Sequence, residues 1–312
     1  MKPQIEKSGA KSMKILVTGS NGLLGQKLTN LLFTLPDVDL IATAREKLTF
    51  PLSKGEFHSL DITNAHATQE LLLKTKPDVV INTAAMTQVD QCETDQEVCW
   101  KNNVTAVESV AKACELSGSH LIHLSTDFIF DGTHGPLDES AVPNPLSFYG
   151  KSKLAAEIII QHSKINWSIV RTVLVYGVTK DMSRSNIVLW VKKNLEEGKS
   201  INVVNDQWRT PTLAEDLAMG CLLIARKKAK GIFHISGSEM MTPFDIAIRT
   251  ANFFKLNKEL IKETDSTKFT QPAKRPPKTG FIIDKAKKEI GFQPHSFEEG
   301  LKILADQMTA IH

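Results

Sequence analysis

Lys14-Ile15-Leu16-Val17-Thr18-Gly19-Ser20-Asn21-Gly22-Leu23-Leu24-Gly25 decides the fold. The apolar run to Thr18 reads as a buried strand, and an apolar-periodic helix follows from about Gly22 to Phe33. Between them, glycines recur at spacings of three and three. Gly19 permits a tight turn at positive φ. Gly22 lets the backbone approach a pyrophosphate, and Gly25 lets helix and strand pack closely. The helix N-terminus then presents unpaired N–H groups and a positive dipole end to phosphates. Three glycines by themselves also make an ordinary strand-to-helix turn. Their place after the first strand of an alternating pattern favours dinucleotide binding.

That pattern continues downstream. Strands are expected at Val38 to Thr43, Phe57 to Leu60, Asp78 to Asn82, His120 to Ser125 and Trp167 to Val175. Helices are expected at Asn64 to Lys74, with Asn64 as N-cap, at Thr105 to Leu116, and from Lys153 to about His162. The strands are nearly continuous in apolar residues, as a parallel sheet covered on both faces requires. The fold class is therefore α/β, a doubly wound parallel sheet of Rossmann type with a smaller C-terminal substrate-binding lobe. Residues 1–12 read as a disordered leader and 13–178 as the dinucleotide-binding domain. Residues 179–312 read mainly as the substrate lobe, with some elements returning to the sheet. Pro211, Pro243, Pro272, Pro276 and Pro277 punctuate that looser second part.

Composition agrees with a globular protein. The chain has 312 residues, 41% hydrophobic and 23% charged, enough for a sizeable core. A net charge of +3 gives no reason to invoke nucleic acid or a membrane surface as partner. Cys92, Cys99, Cys114 and Cys221 form no C-x-x-C pair and no zinc spacing, so they read as reduced thiols of a cytoplasmic protein, with no metal ligands. No apolar run approaches the ~20 residues of a membrane span.

Tyr149-Gly150-Lys151-Ser152-Lys153 sets a phenol and an ammonium four residues apart, on one helix face. Reducing a ketone takes a hydride from a nicotinamide and a proton for the developing alkoxide. A free phenol, with a pKa of about 10, is a reluctant acid near neutrality, and a nearby ammonium makes it a better one. Lys153 can also bond the nicotinamide ribose. A third member, a hydroxyl polarising the substrate carbonyl, is expected at Thr126, with Asp127 as a neighbouring substrate contact. The bland alternative is a surface helix that happens to begin with Tyr149 and Lys153.

The cofactor is expected along Gly19, Asn21, Gly22, Leu23 and Gly25. Asp61-Ile62 would meet the adenine, and Ala84, Ala85 and Met86 leave room for the ribose. The second strand ends in Arg45 with no Asp or Glu to read a 2′-hydroxyl, which favours NADPH over NADH.

The glycine turn with Tyr-x-x-x-Lys resembles the extended short-chain dehydrogenases. Further stretches resemble the dTDP-4-dehydrorhamnose reductases more narrowly. They are Asn82 to Asp90 (NTAAMTQVD), Ser125 to Gly132 (STDFIFDG), Arg171 to Gly177 (RTVLVYG), Asp206 to Thr212 (DQWRTPT) and Arg275-Pro276. The resemblance implies reduction of the C4 keto group of a dTDP-linked 6-deoxyhexulose, giving dTDP-L-rhamnose. It implies Tyr149 as proton donor, Lys153 as its support, and Thr126 and Asp127 at the sugar. Leu174 stands where the family often has a substrate-stacking Trp, and Phe128 where it has Tyr. Trp208 beside Arg209 is expected as a lid or a packing anchor, and the Thr270 to Thr279 segment, with Lys274, Arg275 and Lys278, as a diphosphate clamp or a solvated basic loop. Some family members use Mg²⁺ at a subunit contact, but no ligand set stands out here; a homodimer is left open. Two alternatives remain: a reductase of another nucleotide-linked 4-ketosugar, or a non-catalytic dinucleotide-binding subunit resembling the regulatory subunit of methionine adenosyltransferase.

Overall fold

The computed structural model describes residues 12–180 and 185–311. The expected leader lies outside them except for Ser12, whose hydroxyl bonds Asp39. A seven-stranded, all-parallel sheet runs in the order β10-β6-β5-β4-β1-β2-β3. Its strands are β1 Met13–Thr18, β2 Val38–Ala44, β3 Glu56–Ser59, β4 Val79–Asn82, β5 His120–Thr126, β6 Trp167–Thr172 and β10 Gly231–His234. The order reverses between β1 and β4, the switch point at which doubly wound sheets open a crevice at their C-terminal ends.

Apolar cores cover both faces. One packs Ile15, Val17 and Val79 against α1 Leu23–Phe33 and α8 Ala214–Lys227. The other packs Leu16, Val80 and Leu121 against α2 Ala65–Thr75, α5 Ala106–Ser117 and α6 Phe148–His162. This is why the strands carry apolar residues at successive positions rather than alternately. Asn64 caps α2 as expected, accepting from the Ala67 N–H.

Between β4 and α5 lie two short helices, α3 Val89–Thr94 and α4 Gln96–Trp100, and a π turn over Lys101–Thr105. The sequence reading left this stretch unassigned. Two other expectations need correction. Helix α6 begins at Phe148 rather than Lys153, because Ser147 caps it by accepting from the Gly150 N–H. The strand expected to reach Val175 breaks at Leu174, which takes φ 40. The chain resumes as β7 Val175–Tyr176, pairing with β9 Thr212–Leu213 in a separate two-stranded sheet.

The rest builds a second layer. Helices α7 Ile187–Glu196 and α9 Pro243–Phe253 pack on the sheet of β8 Ile201–Val204 and β11 Ile261–Thr264. Helices α10 Asp284–Ile290 and α11 Phe297–Ile311 close the chain. Among the described residues no helix is long and apolar enough to cross a membrane.

Candidate active site

Parallel strands end together, so the C-terminal edge gathers the loops that follow them. Gly19, at φ 69, turns the chain out of β1; a side chain there would press on the backbone of Ala84. Gly25 sits against the Gly19 carbonyl and Ser20 Cα, with no room for a Cβ. Ser20, fully buried, accepts from the Thr43 N–H at 3.1 Å and ties the turn to β2. Asn21 accepts from Thr49 N at 3.1 Å and donates to the Lys47 carbonyl at 2.9 Å, so it holds the loop after β2. Gly22 is the N-cap of α1, and no side chain caps that terminus or places an acid in its first turn. Leu23 is half-buried at its start. A backbone cradle without Cβ atoms and an uncapped helix end fit a dinucleotide's diphosphate.

Arg45 is exposed just beyond β2. Asp61, also exposed, follows β3 and accepts from Thr63 N at 2.9 Å, while Ile62 is buried behind it. Ala84 and Ala85 are half-buried after β4. The Met86 backbone is held by Asn103, which donates to its carbonyl at 2.9 Å and accepts from its N–H at 2.8 Å.

Tyr149 and Lys153 project from one face of α6, one turn apart. Tyr149 lies in a small cluster with Met86, Cys92 and Cys99, and Phe128 meets its ring edge-on at 5.8 Å. It is 8% exposed. Gly150 lets the helix press against the Phe128 carbonyl. Cys92 and Cys99 hydrogen-bond each other behind the phenol; Cys99 is made the more acidic by that bond and by Ser152 and Asn103. Lys153 is buried and donates to the Leu124 carbonyl at 2.6 Å. Burial pulls its amine down to about 8, against the opposing pull of Glu157 and the two thiols. Glu157 is itself locked to Arg171, with contacts of 2.7–3.2 Å.

Thr126 ends β5 and caps the turn Asp127–Ile129. Its hydroxyl accepts from Phe128 N at 3.2 Å and donates to Asp127 at 3.2 Å. The Asp127 carboxyl is buried, which raises its pKa, while Arg209 at 3.5 Å and the Thr279 hydroxyl act to lower it. Arg209 is bonded inward throughout: Nη1 to the Trp208 and Pro277 carbonyls, Nη2 to the Pro276 carbonyl at 2.6 Å. Trp208 is exposed beside it. Arg275 grips Asp90 through both nitrogens at 2.8 and 2.7 Å and lines a cavity of about 520 Å³ with Trp190, Asn202, Gln207 and Phe269. Leu174 is partly buried beneath the sheet's end. Among the described residues no group of three or more His, Cys, Asp or Glu side chains comes together as a metal site.

The structure therefore brings the glycine turn, Arg45, Asp61, Ala84 to Met86, Thr126, Asp127, Tyr149 and Lys153 to one edge. Arg275 lies along the cavity of the second layer. Sequence reasoning passed over Asn103, Ser152 and His123. The one signal for His123 was a titratable ring inside an otherwise apolar strand.

The family described as "RmlD substrate binding domain" matches residues 13–310. The chain is 32% identical to "Methionine adenosyltransferase 2 subunit beta" of Xenopus tropicalis over 248 residues, 78% of this chain and 72% of that one. It is 31% identical to "Probable low-salt glycan biosynthesis reductase Agl14" of Haloferax volcanii over 294 residues, 94% and 97% of the two. Among solved structures, dTDP-4-dehydrorhamnose reductase of Bacillus anthracis in complex with NADP superposes with a TM-score of 0.85 at 28% identity, covering 95% of this chain and 99% of that one.

Proposed function

The chain belongs to the RmlD substrate binding domain family, and from that premise we propose that it is an NAD(P)H-dependent reductase of the C4 keto group of dTDP-4-dehydrorhamnose, yielding dTDP-L-rhamnose. The observation that carries this reading is the placement of Tyr149 and Lys153 on one buried face of α6, at the sheet edge that also holds the glycine turn. The NADP complex of the Bacillus anthracis reductase supports the cofactor.

In this proposal Gly19, Asn21, Gly22, Leu23 and Gly25 hold the diphosphate. Arg45 meets a 2′-phosphate, Asp61 and Ile62 the adenine, and Ala84 to Met86 the nicotinamide ribose. When bound, the reduced nicotinamide supplies a hydride. Thr126 donates a hydrogen bond to the substrate oxygen and stabilises the charge that develops there. Tyr149 gives that oxygen its proton, and the Lys153 ammonium stabilises the phenolate left behind. Asp127, Leu174 and Trp208 flank the sugar. Arg275 reaches the diphosphate of the sugar nucleotide from the cavity wall, while Arg209 fixes the backbone of Trp208, Pro276 and Pro277 beside it. Residues 13–178 then serve chiefly the cofactor and 179–312 chiefly the substrate.

The identity with the methionine adenosyltransferase subunit favours a second reading, a dinucleotide-binding subunit without turnover. The intact set Thr126, Tyr149 and Lys153 supports the enzyme. NADPH and NADH oxidation over a panel of nucleotide-linked 4-ketosugars decides between them. We expect oxidation with the dTDP-linked sugar. A chain that binds NADPH and consumes none with any sugar overturns the reductase; consumption with another sugar only overturns the substrate.

A further inference from the structure

Thr18, Asn82 and His123 occupy one register level on three adjacent strands: Thr18 pairs with Asn82 and Asn82 with His123. Partners across a parallel ladder share a face of the sheet, so their side chains stand in a row. All three are at most 1% exposed, and the row ends on Lys153, which is equally enclosed. The links are Thr18 Oγ1 to Asn82 Oδ1 at 2.6 Å, Asn82 Nδ2 to His123 Nδ1 at 3.1 Å, and His123 Nε2 to Lys153 Nζ at 3.2 Å.

The direction of this row follows from donor counting. Asn82 Oδ1 can only accept, so the Thr18 hydroxyl donates to it, while Thr18 Oγ1 accepts from the Ala84 N–H at 3.3 Å. Asn82 then turns its NH₂ to His123, and an NH₂ only donates. Nδ1 must accept, so the ring carries its proton on Nε2, facing Lys153. An ammonium has no lone pair to receive that N–H; a neutral amine has one. When Lys153 is an ammonium, Nε2 must accept instead. The ring proton then moves to Nδ1 and the Asn82 amide turns over, its NH₂ now donating to Thr18 Oγ1 and depriving the Thr18 hydroxyl proton of its acceptor.

We propose that His123 is a positioning residue whose ring tautomer, set through Asn82 and Thr18, governs which protonation state Lys153 adopts. On protonation the pair gains one proton in total, on Nζ; the ring keeps its single proton and relocates it from Nε2 to Nδ1. His123 stays neutral throughout, because burial and then the Lys153 charge hold its pKa well below the usual value. The downward shift of Lys153 has burial as its cause, and the direction drawn above belongs to the amine that stands above that midpoint. The other groups facing Lys153 are Tyr149 and Glu157 on α6, Cys92 on α3 and Cys99 on α4, and Glu157 is committed to Arg171 of β6. In its bearing on turnover this inference rests on the reductase reading, since it makes Lys153 a proton reservoir for Tyr149.

The test uses unaltered protein without cofactor, labelled with ¹⁵N-histidine and ¹³Cε-lysine, and followed by NMR from pH 6 to 10. His123 is assigned through its Overhauser contact to the Lys153 Cε protons. We expect the ring to switch from Nδ1–H to Nε2–H at the same midpoint at which Lys153 loses its proton. A ring that keeps one tautomer through the Lys153 titration overturns the proposal. In His123→Gln the amide oxygen offers the ammonium a permanent acceptor. The Lys153 midpoint should then rise by about one pH unit, and the alkaline limb of kcat with it, while KM stays within about twofold. A midpoint that does not move also overturns it. Should that variant not fold, the tautomer titration decides alone. A coincident switch in a protein that oxidises no NADPH leaves the row standing and removes the reductase. Turnover without the switch does the reverse.

Discussion

Single side chains carry the sharpest expectations. Tyr149→Phe removes one oxygen from a packed ring and leaves the Phe128 contact in place. We expect kcat to fall at least about a hundredfold with NADPH affinity nearly unchanged; equal losses in both would sink the acid role. Arg45 is exposed beyond β2, so Arg45→Ala should weaken NADPH and spare NADH. Paired affinity measurements check this, and an unchanged ratio places the 2′-phosphate reader elsewhere. Lys153 opposes stability, because its ammonium is buried. Its folded amine titrates at about 8 rather than 10.5, so between those values the unfolded chain holds the extra proton. Stability rises with pH across that window, and the full penalty stands below it. Lys153→Met should therefore gain about 1 kcal/mol at pH 7, after the loss of the bonds to Leu124 and His123, and lose that gain by pH 10. Urea melts at the two pH values test it; a variant weaker at pH 7 contradicts it.

Among elements, α1 depends most on one missing atom. A Cβ at Gly25 meets the Gly19 carbonyl and Ser20 Cα, and neither is the flexible end of a side chain. Gly25→Ala should cost about 1–3 kcal/mol and loosen NADPH as the turn is pushed outward. A variant of unchanged stability and affinity, measured by melting and fluorescence titration, would show that the helix shifts freely. Much of this level was legible beforehand. The strands of the sheet from β1 to β6 and helices α1, α2 and α5 fall within a few residues of their expected places, because buried parallel strands and amphipathic helices write strong local patterns. The start of α6 was missed since the cap, Ser147, follows a stretch broken by Pro143 and Pro145, with no periodicity to announce it. The bend at Leu174 was missed because a Leu in the left-handed region is a tertiary outcome that apolar pattern conceals. The glycine turn and Tyr149 to Lys153 were legible from spacing alone. The partners of Lys153 were not, because a row running across three strands joins residues that are 41 and 64 positions apart.

At the scale of the whole molecule, residues 13–178 and the rest of the chain share one core. Ile15, Val17 and Leu28 pack in the same cluster as Leu217, Leu222, Phe233, Phe281 and Phe292. Strand β10 supplies the sheet's edge beside β6, and Lys27 of α1 bonds Glu215 of α8 and Gln307 of α11. A fragment of residues 13–178 should consequently remain unfolded or aggregate, having lost α8 from one face of its sheet and β10 from its edge. A sharp thermal transition and dispersed amide spectrum from that fragment would refute this. The inward-facing guanidinium of Arg209 has a bearing on redesign. It rivets the end of β5, through Asp127, to the backbone of Pro276 and Pro277. A loop transplanted from a cousin of different sugar preference must therefore arrive with two oxygens aimed at that cation, or the graft will exchange a new specificity for an orphaned charge in the protein's interior.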